Sequence, residues 1–428
     1  MRAPFFAVCL VSLAVPLVVP SWSHAEPPGG LRAGAARIDI TPEKPVQMSG
    51  YAGRKDPSTG VHDRLSARAL AFEAGDRRLV LVSTDLIGFY DGTAEKMRGA
   101  LLAKTNLKPS ELFLAAIHTH AGPSLTTDKE HGHANNLEYT ESLEGKLIQV
   151  VRQALDAMEP AGIGLEVGYS PVGMNRRELR VGSDGRSSIV LGRNPYGPTD
   201  KEVLVMKVAS AEGRTRAVAF SHAVHGTSLG PRNHTISGDV LGLAEQLSEK
   251  VLGPEVVVPA FAGASGDIDP WFRVLPGFNT ESGWTPEPVL LGTLLGQEVV
   301  HVYRGIKQTA PTDRLATNLV TLQLPGKPSE DASAPKPGAA AFNITVARLG
   351  DVAFVGLGGE VFTEIGKAIK AGSPFRHTFI ITHCNGAAGY LAPKEAHVQG
   401  GYEIRTSPFA PQAADIVIRE AIRMLHGL

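Results

Sequence analysis

The stretch "AAIHTHAGPS" (residues 115–124) changes from apolar to polar at His118, at the end of the apolar run Leu112 to Ile117. This run predicts a buried strand, and the Ala-Gly-Pro that follows the second histidine turns the chain. Side chains at i and i+2 of a strand point to the same face, so we expect His118 and His120 to project together into a cleft. Such a pair can place a metal ligand beside an acid/base group, although the spacing alone is not specific for metal.

The composition is that of an ordinary globular enzyme. The chain has 428 residues, of which 43% are hydrophobic and 20% charged, and its formal net charge is −1. Because there is neither a net positive charge nor a basic run, the sequence argues against binding to nucleic acid.

The N-terminus predicts export. A basic residue, Arg2, precedes an apolar stretch from Phe5 to Val19 and a small-x-small end at Ser23-His24-Ala25. This pattern is typical of a cleaved secretory signal peptide over residues 1–25, which makes the protein secreted or periplasmic. An uncleaved anchor helix is the alternative, but the stretch is short for one, and no later segment predicts stable membrane insertion.

Cysteine usage adds one expectation. Cys9 lies in the predicted signal, so the mature chain keeps Cys384 alone and forms no intrachain disulfide. Cys384 follows an apolar strand, which predicts a buried small hydrophobic residue and not a nucleophile.

The mature chain, residues 26–428, predicts a single α/β domain with a layered mixed sheet and flanking helices. The predicted strands are Ala67–Phe72, Leu79–Ser83, Glu111–Ile117, Val203–Val208, Ala217–Phe220, Val256–Ala260, Val352–Val355 and Thr378–Ile381. The predicted helices are Ala94–Thr105, Leu137–Ala157, Val240–Val251, Val289–Tyr303, Val361–Ala371 and Gln412–Leu425. Residues 324–341 predict an exposed loop or linker. Residues 270–288 predict a long loop whose aromatic residues line a substrate channel or pack on the core.

Three further stretches place polar side chains after predicted strands. "FSHAVHGTSLG" (220–230) carries His222 and His225, "FVGLGGEVFTEIG" (354–366) carries Glu360, and "THCNGAAGYLAP" (382–393) carries Tyr390. Ligands of open α/β sheets gather at the carboxyl ends of strands, so we expect these pieces to converge with the histidine pair. Each residue taken alone also has a purely structural explanation. His225 could be a core histidine, Glu360 an acid at the start of a helix, and Tyr390 an aromatic residue in a turn.

Taken together, these motifs resemble a known family. "GAARIDITPEKPVQMSGYAGR", "GVHDRLSARAL", "IHTHAGP", "HAVHGTSLG…NHTISGD", "GDIDP" and "GGEVFTEIG" resemble, in order, the catalytic domain of neutral/alkaline ceramidases. The resemblance runs from about residue 34 to 405. It implies a zinc-dependent amidohydrolase in which zinc-bound water attacks an N-acyl amide of a lipid-like substrate.

The resemblance also assigns roles to individual residues. It implies zinc ligands at His118, His225, Glu360 and Tyr390, and it sets His120 beside the substrate amide as an acid/base group. Arg176 in "MNRRE" and Tyr402 in "GGYE" match residues that contact the amide.

Two features depart from the family pattern. Asp269 in "GDIDP" stands where the family has a serine that is essential for ceramide cleavage, and Ser265 nearby is expected to be only a turn residue. Asp269 could serve as a general base, or repel an anionic substrate and favour a neutral or cationic one. It could also redirect specificity toward smaller or more polar amides, or merely cap a turn before Pro270. We also expect no C-terminal immunoglobulin-like domain in this chain.

Two other function classes stay open from the sequence. One is a metallohydrolase of another bond such as an ester, in which Asp269 binds a second cation. The other is an exported, non-catalytic binding protein that retains the site, since fold alone does not settle function.

Overall fold

The computed structural model describes Met1 and residues 30–271, 287–327 and 338–428. Residues 2–25 of the predicted signal peptide, the centre of loop 324–341, and Phe272, Phe278 and Trp284 of loop 270–288 lie outside the described residues. Within the described ranges, no helix is both long enough and apolar enough to cross a membrane.

Strands and helices alternate along the described chain. The strands are β1 (Arg32–Asp39), β2 (Gly60–Val61), β3 (Ser66–Ala74), β4 (Arg77–Thr84), β5 (Leu112–Ala116), β6 (Glu159–Tyr169), β7 (Gly173–Val181), β8 (Ser187–Asn194), β9 (Glu202–Ser210), β10 (Thr215–His222), β11 (Thr235–Ile236), β12 (Ala260–Ala262), β13 (Ile268–Pro270), β14 (Leu315–Leu324), β15 (Ala340–Leu349), β16 (Val352–Leu357), β17 (Glu360–Val361), β18 (His377–Ile381) and β19 (Tyr390–Leu391). The helices are α1 (Thr93–Thr105), α2 (Ala134–Asp156), α3 (Asp239–Leu252), α4 (Glu287–Gly305), α5 (Thr363–Gly372), α6 (Lys394–Gln399), α7 (Tyr402–Thr406) and α8 (Ala413–His426).

Two mixed sheets organise these elements. The main sheet has the order β12-β10-β9-β6-β1-β3-β4-β5, and the second sheet has the order β14-β15-β16-β18. Most neighbours are antiparallel, but β4–β5, β10–β12 and β16–β18 are parallel. Mixed sheets with helices agree with the predicted class.

The two sheets pack face to face, which makes four layers and corrects the expectation of one mixed sheet. Phe72 and Phe113 of the main sheet share an apolar cluster with Phe354 and Phe379 of the second sheet. The outer face of the main sheet is covered by α1 to α4, and that of the second sheet by α5 and α8. Strands β3 and β4 are buried on both faces because one face meets helices and the other meets a sheet.

Most predicted elements are present, with local differences. The strand predicted over Val256–Ala260 begins only at Ala260, in β12. The two ends of residues 324–341 lie side by side in one sheet, since Leu324 of β14 pairs with Ala340 of β15. Cys384 is fully buried and burial raises the pKa of its thiol, as expected for an inert cysteine.

The carboxyl ends of β5, β10, β12, β16 and β18 meet at one place. The main sheet curves so that its edges approach, and Ser83 Oγ donates to the carbonyl of Ala260 at 2.6 Å. Beyond the strands, a parallel bridge joins Thr119 to Gly226, and the backbone N–H of Thr382 donates to Ala262 at 2.9 Å. The loops that carry the predicted polar residues therefore converge.

Candidate metal centre

Three histidines form the centre of this convergence: His118 and His225 are buried, and His120 is half-buried. The Nε2 atom of His118 lies 3.2 Å from Nε2 of His225 and 3.2 Å from Nε2 of His120. The potential ligand atoms of all three lie within 4.8 Å of one another. Imidazoles at this spacing could hold a metal ion.

Two of the three imidazoles are anchored as metal-ligating histidines usually are. Nδ1 of His118 lies 2.7 Å from the carbonyl oxygen of Ile87, and Nδ1 of His225 lies 2.6 Å from that of Ser265. A proton on each Nδ1 leaves the Nε2 lone pairs directed at the common centre. By contrast, Nδ1 of His120 has no hydrogen-bond partner among the residues that the structure describes. His120 therefore differs from the other two.

Glu360 brings a carboxylate to the same centre. Its Oε2 atom lies 3.4 Å from Nε2 of His118 and 3.6 Å from Nε2 of His225. Its Oε1 atom accepts a hydrogen bond from the Tyr90 hydroxyl at 3.1 Å, whereas buried Oε2 accepts none from any described residue. Burial opposes ionisation of Glu360, but the neighbouring histidines outweigh it and hold its pKa well below the usual range.

These distances fit a tetrahedral metal site. Bonds of about 2.0–2.1 Å to a central zinc ion would separate two ligand atoms by about 3.3 Å. The separations among Nε2 of His118, Nε2 of His225 and Oε2 of Glu360 are 3.2, 3.4 and 3.6 Å. Two neutral imidazoles and a carboxylate are also a donor set that zinc commonly takes.

The two histidines of "HTH" converge for a different reason from the one expected. Strand β5 ends at Ala116, and His118 has φ 64°, so strand alternation does not set its direction. This left-handed conformation is unusual for a histidine and is found at functional sites. His383, with φ 51°, stacks on His118 at 3.8 Å between ring centroids.

Close backbone approach fixes His120. Gly50 has φ +100°, and a Cβ atom there would lie 2.4 Å from Nδ1 of His120. Glycine is therefore required at position 50. The ring of Tyr51 packs edge-on against His120 at 5.2 Å. Burial, with the neighbouring His118 and His225, lowers the pKa of His120 well below its usual value.

Arg176 forms the second wall of the centre. This buried arginine donates to Glu403 Oε1 at 2.8 Å, to Asp269 Oδ1 at 3.1 Å and to the Tyr390 hydroxyl at 3.0 Å. Glu403 also accepts from Arg177 at 2.8 Å. Burial, together with the nearby Glu360 carboxylate, raises the pKa of Tyr390, so this network borders the histidine centre.

Asp269 is part of this network and not a simple turn cap. It lies in β13, and its Oδ1 atom accepts from Thr227 Oγ1 at 3.2 Å as well as from Arg176. Its charge is thus balanced by a guanidinium. Ser265 contributes its backbone carbonyl to His225, in line with a role in the turn.

Two predicted residues lie farther out. Tyr402 is 39% exposed, and its ring contacts that of Tyr390 edge-on at 5.9 Å, so it lies on the outer side of the site. His222 turns away, with Nδ1 3.0 Å from the carbonyl oxygen of Glu202.

Four contributors were not predicted: Tyr90, His383, Asp267 and Glu403. Glu403 and Asp267 lie within the quoted "GGYE" and "GDIDP", so adjacency to those motifs was the available signal. Asp267 accepts hydrogen bonds from the Thr363 backbone N–H and from Asn175, and burial raises its pKa to about 7. Tyr90 had no signal in the sequence.

Comparison with known proteins gives consistent matches. Residues 31–274 match the family described as neutral/alkaline non-lysosomal ceramidase, N-terminal. The neutral ceramidase of Pseudomonas aeruginosa is 30% identical over 288 residues, which cover 64% of this chain and 42% of that protein. That of Mycobacterium tuberculosis is 29% identical over 269 residues, covering 56% and 40%. The chain thus spans less than half the length of these relatives.

The fold matches as well. The crystal structure of the Pseudomonas aeruginosa neutral ceramidase superposes with a TM-score of 0.76 at 18% identity, over 93% of this chain and 74% of that one. A ceramidase structure described as complexed with C2 superposes with a TM-score of 0.75.

Proposed function

Because the chain belongs to the neutral/alkaline non-lysosomal ceramidase family, we propose that it is a zinc-dependent hydrolase of an N-acyl amide bond. The observation that carries the proposal is the set of three ligand atoms separated by 3.2, 3.4 and 3.6 Å, with Oε2 of Glu360 buried and without a hydrogen bond from any described residue. His118, His225, Glu360 and Tyr390 are the proposed ligands. The tripartite N-terminus supports export of the protein.

The reaction consumes one water molecule. Its oxygen adds to the amide carbonyl carbon, the C–N bond breaks, and the products are a carboxylate and an amine. A bound zinc ion supplies Lewis acidity, which polarises the carbonyl and makes water more acidic. His120, whose Nε2 atom lies 3.2 Å from Nε2 of His118, takes a proton from the water and returns it to the leaving nitrogen.

Arg176 is the proposed oxyanion donor. Its contacts with Glu403, Asp269 and Tyr390 use three of its five N–H groups, which leaves donors for the carbonyl oxygen. Removal of such a donor typically costs about 100-fold in rate. Tyr402 orients the substrate from the outer side.

A substrate panel tests the bond that is cleaved. Purified protein loaded with zinc is offered paired N-acyl amides and esters of the same acyl chain, and the released amine or alcohol is quantified. We expect amide hydrolysis that a chelator abolishes and zinc restores. Hydrolysis of the esters alone would reassign the reaction, and no hydrolysis by the zinc-loaded protein would leave the binding-protein alternative.

Asp269 sets the predicted substrate preference. A long alkyl chain packed against a carboxylate removes water from it and offers no hydrogen bond in return, which costs free energy. We therefore expect weak activity on long-chain ceramide and measurable hydrolysis of short N-acyl amides. Asp269→Ser should shift the kcat/KM ratio toward long-chain ceramide, because it removes the charge and releases one N–H of Arg176. Asp269→Asn keeps the side-chain shape but removes the charge, so it distinguishes the effect of the charge from that of side-chain volume. Efficient ceramide cleavage by the wild type, unchanged by Asp269→Ser, would show that Asp269 does not set specificity.

A further inference from the structure

A cavity of about 410 Å³ adjoins the candidate metal centre. Its wall includes Gly50 and Tyr51, which contact His120, and Tyr90, which donates to Glu360. A group bound in this cavity therefore lies one layer of side chains from the centre.

Arg54, in the wall of this cavity, is a buried cation without a counter-charge. The residue is 7% exposed and donates to the backbone carbonyls of Asn233, Ser49 and His120. Its buried Nε atom has no hydrogen-bond partner, and no carboxylate pairs with the guanidinium, within ranges 30–271, 287–327 and 338–428. Burial of an unpaired charge is costly, and an anion bound in the cavity would supply the counter-charge that Arg54 lacks.

The remaining charges agree with an anionic occupant. Lys55 also lines the cavity and is exposed, while Asp91 is the one acid in the described lining, so the wall is net positive. Deeper in, Arg176 balances Asp269, so that carboxylate does not repel an anion. Guanidinium and ammonium groups are the usual partners of carboxylates and phosphates.

We propose that this cavity binds an anionic group of the substrate, a carboxylate or phosphate, with Arg54 and Lys55 as its recognition residues. The inference rests on the proposed amide hydrolysis and deepens it: the substrate is an N-acyl amide that carries a negative charge near the scissile bond, such as an N-acyl amino acid.

Three matched substrates test the inference. N-octanoylglycine carries a carboxylate, N-octanoylethanolamine is neutral, and the phosphate ester of N-octanoylethanolamine carries a phosphate. We expect kcat/KM to favour one or both anions over the neutral amide by about tenfold, the effect of one charge-assisted hydrogen bond. The comparison of the two anions identifies which group is bound.

Two variants connect the preference to the cavity. Lys55→Gln should reduce the anion-to-neutral ratio severalfold, and Arg54→Gln should reduce it further. Lys250→Gln, at an exposed lysine in the last turn of α3, is the matched control and should leave the ratio unchanged. Because Arg54 supports three backbone carbonyls and its variant could misfold, the Lys55 variant alone suffices for the test.

Binding separates this inference from the proposed function. Calorimetry with N-octanoylglycine and N-octanoylethanolamine measures anion preference whether or not either is hydrolysed. Absence of hydrolysis with preserved, Lys55-dependent preference for the carboxylate would refute amide hydrolysis and support the cavity's role. Equal binding and equal turnover of charged and neutral compounds would overturn the inference while leaving amide hydrolysis intact.

Discussion

His225→Ala is expected to remove most of the bound zinc and to lower amide hydrolysis by at least about 1,000-fold. The imidazole of His225 is fully buried, and its Nε2 atom lies 3.2 Å from Nε2 of His118 and 3.6 Å from Glu360 Oε2. Loss of a residue that only supports a metal ligand typically costs 10–100-fold in affinity or activity, so loss of a ligand should cost more. Metal analysis by mass spectrometry after dialysis, together with kcat/KM on a short N-acyl amide, measures both effects.

His222→Gln is the matched control for this variant. His222 is a buried histidine three residues earlier, but it turns away from the centre and contacts the carbonyl of Glu202. The His222→Gln variant should retain about one zinc per chain. Full zinc content in His225→Ala would remove His225 from the ligand set, and equal zinc loss in both variants would point to a general loss of folding.

Arg68→Met is expected to destabilise the fold by about 3–5 kcal/mol, the usual cost of breaking a buried ion network from one side. Arg68 is fully buried in β3 and donates to Glu249 at 2.9 Å, to Glu245 at 2.6 Å and to Asp85 at 3.3 Å. Without it Asp85 and Glu245 lose their buried counter-charge, and Glu249 keeps its ion pair with Arg37. Burial already raises the pKa of Glu245 well above its usual value despite the arginine.

The network also supports the candidate metal centre. Glu245 accepts from the backbone N–H of Ala260 in β12, and Asp85 begins the turn that ends at Ile87, whose carbonyl holds His118. Equilibrium urea unfolding of the zinc-loaded protein measures the loss. Arg78→Met is the control, because Arg78 pairs with Glu73 at the surface and should cost less than about 1 kcal/mol. A loss of similar size in both variants would contradict the assigned role of Arg68.

The convergence of His118, His225 and Glu360 was largely predictable because these residues follow one local pattern. His118, His225 and Glu360 each follow the end of a strand within three residues, and the carboxyl ends of such strands gather ligands. The spacing of apolar residues does not distinguish His225 from His222 as the candidate ligand. The family resemblance was needed to choose His225. The structure brings all these side chains together through loops that share a single region.

The second layer of the centre was not predictable from local pattern. The Tyr90 hydroxyl reaches Glu360 across 270 residues of sequence, and nothing near Tyr90 marks that contact. Arg176 and Arg177 are adjacent charged residues in β7, yet both are buried because Glu403 accepts from both. Whether a charged side chain in a strand is buried depends on its ion-pair partners, and the alternation of apolar and polar residues does not reveal them.

Strand β6 of the main sheet was not predicted from the sequence because it contains glycine. Strand β6 contains Gly164, where a Cβ atom would lie 2.3 Å from the carbonyl oxygen of Gln308. The close approach of another segment requires glycine there, but within a sequence glycine argues against a strand. The face-to-face packing of the two sheets was not predictable either. The sequence of a strand that is buried on both faces does not indicate which element covers each face.

Diffraction at the zinc absorption edge tests the central claim most directly. Crystals of protein purified without added chelator should give one anomalous peak per chain, about 2.0–2.1 Å from Nε2 of His118 and of His225 and from a carboxylate oxygen of Glu360. The peak should disappear below the edge. Crystals of zinc-supplemented protein with no peak among these three side chains would contradict the assignment of a zinc centre.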